Sequence, residues 1–289
     1  ASVGCLSSGG HALRALTRDP ARLGDLAVDG VEVMRGDLID PTSLRRACAG
    51  VEVVVAAAHA LLGRGRHRSE AVDDAGHRAL VDAASAAGVG RFVYVSALGA
   101  TPDHPVDFFR TKWAVERHLA ASGLAHAILR PSAFMEWHVH RLNGASVLMR
   151  RRIDLLGAGR KPRNFVAAAD VAQFVARAVD GRLDGRTLAI GAPGNFSNLQ
   201  VGRMYAEAAG LGDLPVRRLP ARAARLLAHV ARPLHPGAAR LLHLASLPDD
   251  AYDERFDATP LQREFGLPLI TVEQFVAAQV AQWRAATLH

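Results

Sequence analysis

The sequence contains only two cysteines, Cys5 and Cys48, among its 289 residues. Their positions match no disulfide framework and no zinc-site spacing, so neither kind of cross-link is expected to explain the fold. Long hydrophobic runs are also lacking: residues 51–58 form one of the longest, far short of the roughly 20 residues that a helix needs to cross a bilayer. We therefore expect a cytoplasmic protein with no membrane partner.

Acidic residues are too few to balance the basic ones, which leaves a net charge of +7 and a pI near 10.3. Such a charge can attract nucleic acid, or an anionic cofactor or substrate. The arginines are spread along predicted helices, however, and no aromatic-rich RNA motif accompanies them. We expect most of them to lie on solvated helix surfaces, and we expect no nucleic-acid partner.

Lysine is almost absent, since Lys112 and Lys161 are the only two in a chain with 35 basic residues. This arginine bias is typical of a GC-rich bacterial genome. Lys112 stands on a predicted helix that follows a strand ending at Ser96. A lysine retained at that place suggests a need for a compact, titratable ammonium, which a guanidinium cannot replace.

Apolar runs and helical patterns alternate through the first half of the chain. Strands are predicted at 11–17, 31–35, 51–58, 91–96 and 125–129, and helices at 20–27, 41–48, 69–87 and 108–122. This alternation is typical of an α/β protein with a doubly wound parallel sheet. Beyond residue 131 one strand is predicted at 187–190, and helices at 134–149, 170–179, 197–209, 221–231, 238–247 and 271–285. The sequence therefore predicts a smaller, mostly helical C-terminal cap over the carboxyl edge of the sheet.

Strand 11–17 has the character of the second strand of a nucleotide-binding sheet. A first strand, a glycine-rich turn and a helix should precede it, and ten residues cannot hold all three. We therefore expect residues to be missing before Ala1, and also between Gly4 and Cys5. Gly4 would then be a remnant of the glycine loop that binds the cofactor.

Four short segments carry a family resemblance: GHALRALTRDP from Gly10, GDLID from Gly36, VSALGA from Val95 and ILRPS from Ile128. With 164–171 and 257–266, they resemble the atypical short-chain dehydrogenase/reductases, specifically the NmrA-like group with its isoflavone-reductase-type enzymes. The resemblance implies a dinucleotide-binding Rossmann core over 1–131, to which 164–195 returns. Residues 132–163 and 196–289 would then form the substrate cap.

The cofactor prediction depends on the end of strand 11–17. Arg18 there favours NADP(H) over NAD(H), because an arginine can pair with a 2′-phosphate; a surface arginine that caps the turn is the alternative. The family resemblance implies that Asp37 accepts a hydrogen bond from the adenine amino group, although Gly36-Asp37 also suits a plain turn. Further predicted cofactor contacts are Leu38, Ala57, Ala58, Lys112 and Pro131. The two alanines are small enough for the cofactor to approach the backbone, or they simply pack in the core.

The predicted reaction centre lacks the usual tyrosine. Phe108 and Lys112 lie on one helical face at i and i+4, and phenylalanine has no proton to exchange. The resemblance to isoflavone-reductase-type enzymes implies that Lys112 assists protonation; holding the nicotinamide ribose is the alternative. Ser96 either polarises a substrate oxygen or caps the strand end.

The substrate pocket is predicted just after the strand that ends at Pro131. Phe134, Trp137 and His138 either line this pocket or pack in the core, and His138 could replace the missing phenol as proton donor.

We therefore expect an NADP(H)-dependent reductase of a small, apolar, conjugated or aromatic substrate, of secondary-metabolite or quinone-like type. A catalytically silent NAD(P)-binding redox sensor and a cofactor-assisted isomerase or cyclase are the alternatives. The expected form is a monomer or homodimer.

Overall fold

The computed structural model describes residues 5–6, 9–21, 30–247 and 251–287. The chain divides into two compact units. The first unit comprises Ala1–Arg130 and Val171–Leu188, and the second comprises Pro131–Asp170 and Ala189–His289. The predicted helix 20–27 lies mostly outside the described residues, and Gly4 lies wholly outside them.

Parallel strands form the framework of the first unit. Strand β1 (Leu13–Thr17) pairs with β2 (Val31–Arg35). A four-stranded sheet has the order β3-β4-β5-β9 and is built from Val53–Ala56, Arg91–Val95, Ala125–Pro131 and Thr187–Ile190. β4 is parallel to both β3 and β5 and is buried along most of its length, as its apolar sequence RFVYV predicts. The predicted α/β class with a parallel sheet is confirmed.

Three helices of the first unit pack on β4, and the start of the first is explained by its local sequence. Helix α1 (Pro41–Cys48) begins where the Asp40 side chain accepts the N–H of Thr42 at 3.0 Å, with proline in its first turn. Helix α2 (His77–Ala86) continues a π-helical segment, Glu70–Gly76, where the sequence predicted one regular helix over 69–87. Helix α3 (Asp107–Ala121) follows. These helices pack on β4 around a shared core of Leu44, Val81, Phe92, Tyr94, Val115 and Leu119.

The second unit contains more strand than the sequence predicted. β6 (Ala133–Phe134) pairs in parallel with β8 (Phe165–Val166), and β7 (Ile153–Leu156) pairs in parallel with β10 (Val216–Leu219). These strands have two to four residues each, too few to show the alternation that identifies a strand in a sequence. The expectation of a single strand beyond residue 131 was therefore wrong.

Helices still dominate the second unit. The predicted helix 134–149 is a π-helical segment, Met135–Gly144, that continues into α4 (Ala145–Arg150). Gly144 lets the π-helical segment pack closely against Tyr205, because a Cβ at position 144 would lie 2.4 Å from the Tyr205 ring. The remaining helices are α5 (Ala168–Val179, which crosses the unit boundary), α6 (Asn198–Ala209), α7 (Ala221–Ala231), α8 (Pro236–Ser246), α9 (Thr259–Phe265) and α10 (Val272–Thr287). Among the described helices, none is both long and apolar enough to span a bilayer.

Candidate functional site

Lys112 is buried at the carboxyl end of β4. Its side chain is only 2% exposed, and its Nζ donates a hydrogen bond of 3.1 Å to the carbonyl oxygen of Val95. The same Nζ lies 4.9 Å from the centre of the Tyr94 ring and 5.7 Å from that of Phe108. The ammonium is thus held between the strand end and its own helix, on the face that it shares with Phe108.

Burial changes the proton affinity of this lysine. Desolvation lowers the pKa of Lys112 to about 8, although the negative charges of Asp73 and Glu116 act in the opposite direction. A group with a pKa near ambient pH can both hold and release a proton, which is what acid–base chemistry requires. Lys112 can therefore exchange a proton near neutral pH.

Asp73 is the fully buried carboxylate that the π-helical segment brings to this region. It accepts the N–H of Ala60 at 2.7 Å and the hydroxyl of Ser69 at 2.5 Å. It therefore ties the loop after β3 to the helix that precedes α2, and it supplies negative charge opposite Lys112. This role could not be predicted from the sequence, because Asp73 and Asp74 are neighbours and a helical pattern does not reveal which of the two carboxylates is buried.

Two more buried polar rings lie in this part of the first unit. His77 and Tyr94 meet edge to face with ring centres 5.5 Å apart, and His77 Nδ1 lies 2.8 Å from the carbonyl oxygen of Val72. Within the described residues, His77 Nε2 and the Tyr94 hydroxyl have no hydrogen-bond partner. Burial lowers the pKa of His77 to about 4 and raises the pKa of Tyr94 above its usual range. Both are uncharged at neutral pH, so of these three groups only Lys112 titrates near it.

The hydroxyl of Ser96, one residue beyond β4, donates a hydrogen bond to Glu116 Oε1. Arg130 clamps the same carboxylate with two hydrogen bonds, from Nε at 2.9 Å and Nη2 at 2.5 Å. Ser96 is buried, and its hydroxyl can still accept a hydrogen bond. It joins β4, α3 and β5 through Glu116, a network that sequence spacing did not indicate.

The ends of β1 and β2 bring together the residues predicted to meet the adenosine. Arg18 is exposed directly after β1, and its positive charge helps to lower the pKa of Asp37. Gly36 keeps these ends close, because its N–H donates to the Thr17 carbonyl at 2.9 Å and a Cβ there would lie 2.4 Å from Leu16.

Asp37 also has two partners that the sequence did not predict. Its Oδ2 lies 2.7 Å from His67 Nε2 and 3.8 Å from Arg66 Nη2. Burial alone would raise the pKa of Asp37, but the hydrogen bond from His67 and the nearby positive charges bring it below its usual value. Arg66 and His67 come from a loop about 30 residues further along, so only the folded chain reveals them.

The other predicted cofactor contacts occupy varied surroundings. Ala57 and Ala58 are exposed directly after β3, while Leu38 is half-buried. Pro131 is buried as the last residue of β5.

The three predicted substrate contacts lie in the second unit, and all three are half-buried. Phe134 ends β6, whereas Trp137 and His138 belong to the π-helical segment. Desolvation, followed by the charge of Arg163, lowers the pKa of His138 to about 3. Its imidazole is therefore neutral at pH 7, which disfavours it as the acid that replaces the phenol. The guanidinium carbon of Arg141 lies 5.0 Å from the centre of the Trp137 ring.

A family profile described as NAD(P)H-binding matches residues 4–182, and the chain belongs to that family. The match covers more than half of the sequence and includes strands β1 to β5. The expectation of an NAD(P)-binding family is confirmed.

Individual relatives are more distant. The chain is 28% identical over 166 residues to the NAD(P)H azoreductase of Xenophilus azovorans, a match that covers 57% of this chain and 54% of that protein. It is 28% identical over 165 residues to quinone oxidoreductase 2 of Escherichia coli, with the same coverage of 57% and 54%. The aligned part thus spans about half the length of either relative.

Similarity of fold extends further than similarity of sequence. The crystal structure of the Citrobacter sp. triphenylmethane reductase complexed with NADP(H) superimposes with a TM-score of 0.77. The superposition covers 96% of this chain and 95% of that one, at 18% sequence identity. It supports the Rossmann-type fold for nearly the whole sequence.

Proposed function

We propose that the chain is an NADP(H)-dependent reductase of a small conjugated acceptor of the quinone or dye type. The observation that carries this proposal is a buried lysine, with a pKa of about 8, at a strand end of an NAD(P)H-binding fold. Support also comes from the relatives, which are named as an NAD(P)H azoreductase and a quinone oxidoreductase. The structural neighbour named as a triphenylmethane reductase was crystallised with NADP(H).

The described residues fit a dinucleotide. Arg18 and Asp37 follow two adjacent parallel strands, where the adenosine half of such a cofactor binds. Ala57 and Ala58 are exposed, and their side chains are no larger than a methyl group. Arg18 favours the 2′-phosphate of NADP(H), and Arg66 beside Asp37 adds positive charge. When bound, the reduced cofactor supplies the hydride.

The residues of the chain divide the remaining work. Lys112 holds the ribose or releases a proton to the reduced acceptor, while the Val95 carbonyl keeps its ammonium in place. Ser96 is a positioning residue in this scheme, because its hydroxyl donates its hydrogen bond to Glu116. Phe108 cannot exchange a proton, which disfavours hydroxyl–carbonyl interconversion. Conjugated acceptors suit the site better, because delocalisation stabilises the anion that hydride addition leaves, so that no phenol is needed to donate a proton during the transfer.

A redox sensor is the second candidate. It is favoured by Phe108, which lacks the phenol, and by Ser96, whose hydroxyl proton is committed to a carboxylate. In that case the cofactor binds but is not consumed. The isomerase or cyclase alternative predicts conversion of substrate without net oxidation of the cofactor, and no contact in the described residues favours it.

Cofactor titration followed by an acceptor screen tests the proposal. NADPH and NADH are titrated by fluorescence, and oxidation of NADPH is then followed with quinones, azo dyes, triphenylmethane dyes and enones. We expect tighter binding of NADPH, and oxidation by at least one acceptor. The replacement Lys112→Met should lower kcat/KM by roughly 100-fold, the lower end of what a general acid contributes. The matched control, Lys161→Met, removes the other lysine of the chain, which pairs with Glu254, and should leave kcat/KM nearly unchanged.

Two outcomes contradict parts of this proposal. If NADPH binds but stays reduced with every acceptor, the sensor is the better explanation. If NADH binds more tightly, the argument from Arg18 fails. The replacement Phe108→Tyr asks a separate question: if the phenol is all that is missing for carbonyl reduction, this variant gains it.

A further inference from the structure

Helix α7 in the second unit buries its small residues and exposes its large apolar ones, the reverse of an ordinary amphipathic helix. Its alanines Ala224 and Ala228, one turn apart, are buried at 0% and 8% exposure. Its large aliphatic side chains face solvent instead: Leu226 is 67% exposed, Leu227 45% and Val230 61%. A surface helix normally turns its large apolar residues toward the core. The exposed face of α7 is therefore available for an apolar contact.

The turn after α7 extends this face. Leu234 is 80% exposed and follows Val230 by four residues, as Val230 follows Leu226. The chain then reverses into α8, whose first turn is capped by the ring of His235, 3.1 Å from the N–H of Ala238. Leu226, Leu227, Val230 and Leu234 together form what we call the hairpin stripe.

Positive charge predominates around the hairpin stripe; Asp154 of β7, which stands opposite Arg217 in the strand register, is paired with Arg152 at 2.9 Å. Between Asp213 and Asp249 the sequence contains six arginines and no acidic residue. Four of these arginines are exposed and have no ion-pair partner within the described part of the chain: Arg217, Arg218, Arg222 and Arg232. Arg222 lies one turn before Leu226 on the helix. The surface therefore combines apolar side chains with uncompensated positive charge.

We propose that the hairpin stripe and its arginines bind the surface of a lipid bilayer that contains anionic lipids. Interfacial helices have this combination, with aliphatic residues that enter the acyl boundary and basic residues that meet the headgroups. Long arginine side chains can reach headgroups while neighbouring leucines are immersed. A protein partner would more often be met by charges of both signs, whereas every charged residue of 214–247 is an arginine. The inference departs from the expectation of no membrane partner, and it does not depend on the proposed reductase activity.

Co-sedimentation with vesicles tests the inference directly on the whole chain. Vesicles of pure phosphatidylcholine are compared with vesicles that also contain phosphatidylglycerol. We expect binding to the second kind only. The binding should weaken as salt rises from about 0.1 M, where the Debye length is about 10 Å, to several times that concentration. Failure to bind the phosphatidylglycerol vesicles, or equal binding to both kinds, would overturn the proposal.

Variants locate the contact. The double replacement Arg222→Ala with Arg232→Ala should weaken binding about 25-fold at low salt, since each arginine near an anionic surface contributes about 5-fold. The control Arg46→Ala removes an exposed arginine of α1 in the first unit and should leave binding within about 2-fold of wild type. Equal losses in variant and control would assign the binding to overall charge and refute a role for the hairpin.

The apolar part is tested separately. Leu226→Ser with Val230→Ser should reduce vesicle binding at least 10-fold, because two anchors are lost. Met149→Ser, at a side chain that is 79% exposed elsewhere in the second unit, is the matched control and should bind as wild type does. Thermal unfolding verifies that both variants are folded, which their exposed positions favour. If sedimentation velocity instead reveals a dimer that the double variant separates, and no vesicle binding is seen, the stripe is a dimer interface and the proposal is wrong.

Discussion

Replacing Lys112 by methionine should stabilise the protein while it removes the proposed activity. The lysine is 2% exposed, and burial lowers its pKa from an ordinary value of 10.5 to about 8. At about 1.4 kcal/mol for each tenfold change in proton affinity, that difference corresponds to ~3 kcal/mol. Below pH 8 the folded protein bears this cost of keeping an ammonium away from water. Methionine fills a similar volume without the charge.

The gain is offset in part by a lost hydrogen bond. Methionine cannot donate to the Val95 carbonyl, and a hydrogen bond of that kind contributes about 1 kcal/mol. We therefore expect Lys112→Met to raise the free energy of unfolding by ~2 kcal/mol at pH 7. Because the lysine has the lower pKa in the folded state, the unfolded chain binds the extra proton between about pH 8 and 10.5. The wild type gains stability from this group across that window, so the advantage of the variant shrinks as pH rises.

Urea unfolding at about pH 7 and again well above pH 8 measures both effects. The control is Lys161→Met, because Lys161 lies 3.5 Å from Glu254 Oε2 and 3.7 Å from the centre of the Tyr252 ring. Its loss should leave stability unchanged or slightly lower at either pH. If Lys112→Met destabilises the protein at pH 7, or if its difference from wild type is the same at both pH values, the ammonium is not a costly buried charge and the reasoning fails.

Three further predictions concern the surroundings of Lys112 and the cofactor edge. Asp73→Asn removes a negative charge and should lower the pKa of Lys112 further. The limb of the pH–rate profile that reports Lys112 should then move to lower pH. The control is Asp74→Asn, at a half-buried carboxylate, which should leave that limb in place. Glu116→Gln breaks a buried carboxylate–guanidinium pair and should lower the free energy of unfolding by about 2–4 kcal/mol in urea titrations. Arg18→Ala should weaken NADPH binding by roughly 10–100-fold, the equivalent of one charge-assisted hydrogen bond, and leave NADH binding nearly unchanged in fluorescence titrations.

The parts of the fold that the sequence predicts well are those with local causes. Helix α1 has the predicted bounds because Asp40 caps it and Pro41 opens it. The prediction for strand β4 was too long by one residue only. It was nearly correct because a continuous apolar run is typical of a strand that is covered on both faces. Such signals lie within a few residues of one another and need no knowledge of the remainder of the chain.

The candidate site was only partly predictable, because much of it is non-local. Lys112 stood out by its rarity and its position on a helix. The network of Ser96, Glu116 and Arg130 joins residues up to 34 positions apart, and no spacing rule connects them. Likewise, the pattern of α7 shows two distinct faces but not which one turns inward, and here the interior accepts the alanines.

The π-helical segment Glu70–Gly76 makes this region sensitive to the deletion of a single residue. A π turn holds one residue more than an α turn, so deleting a single residue there would restore regular helical winding. Because the extra residue is taken up within the segment, the helix on either side would keep its orientation, and only residues inside the segment would change the face on which they lie. Asp73 would then leave the interior, and the loop that holds Ala60 would lose its anchor. A deletion of one codon, rather than any substitution, is the smallest step that would rearrange this region while sparing the sheet.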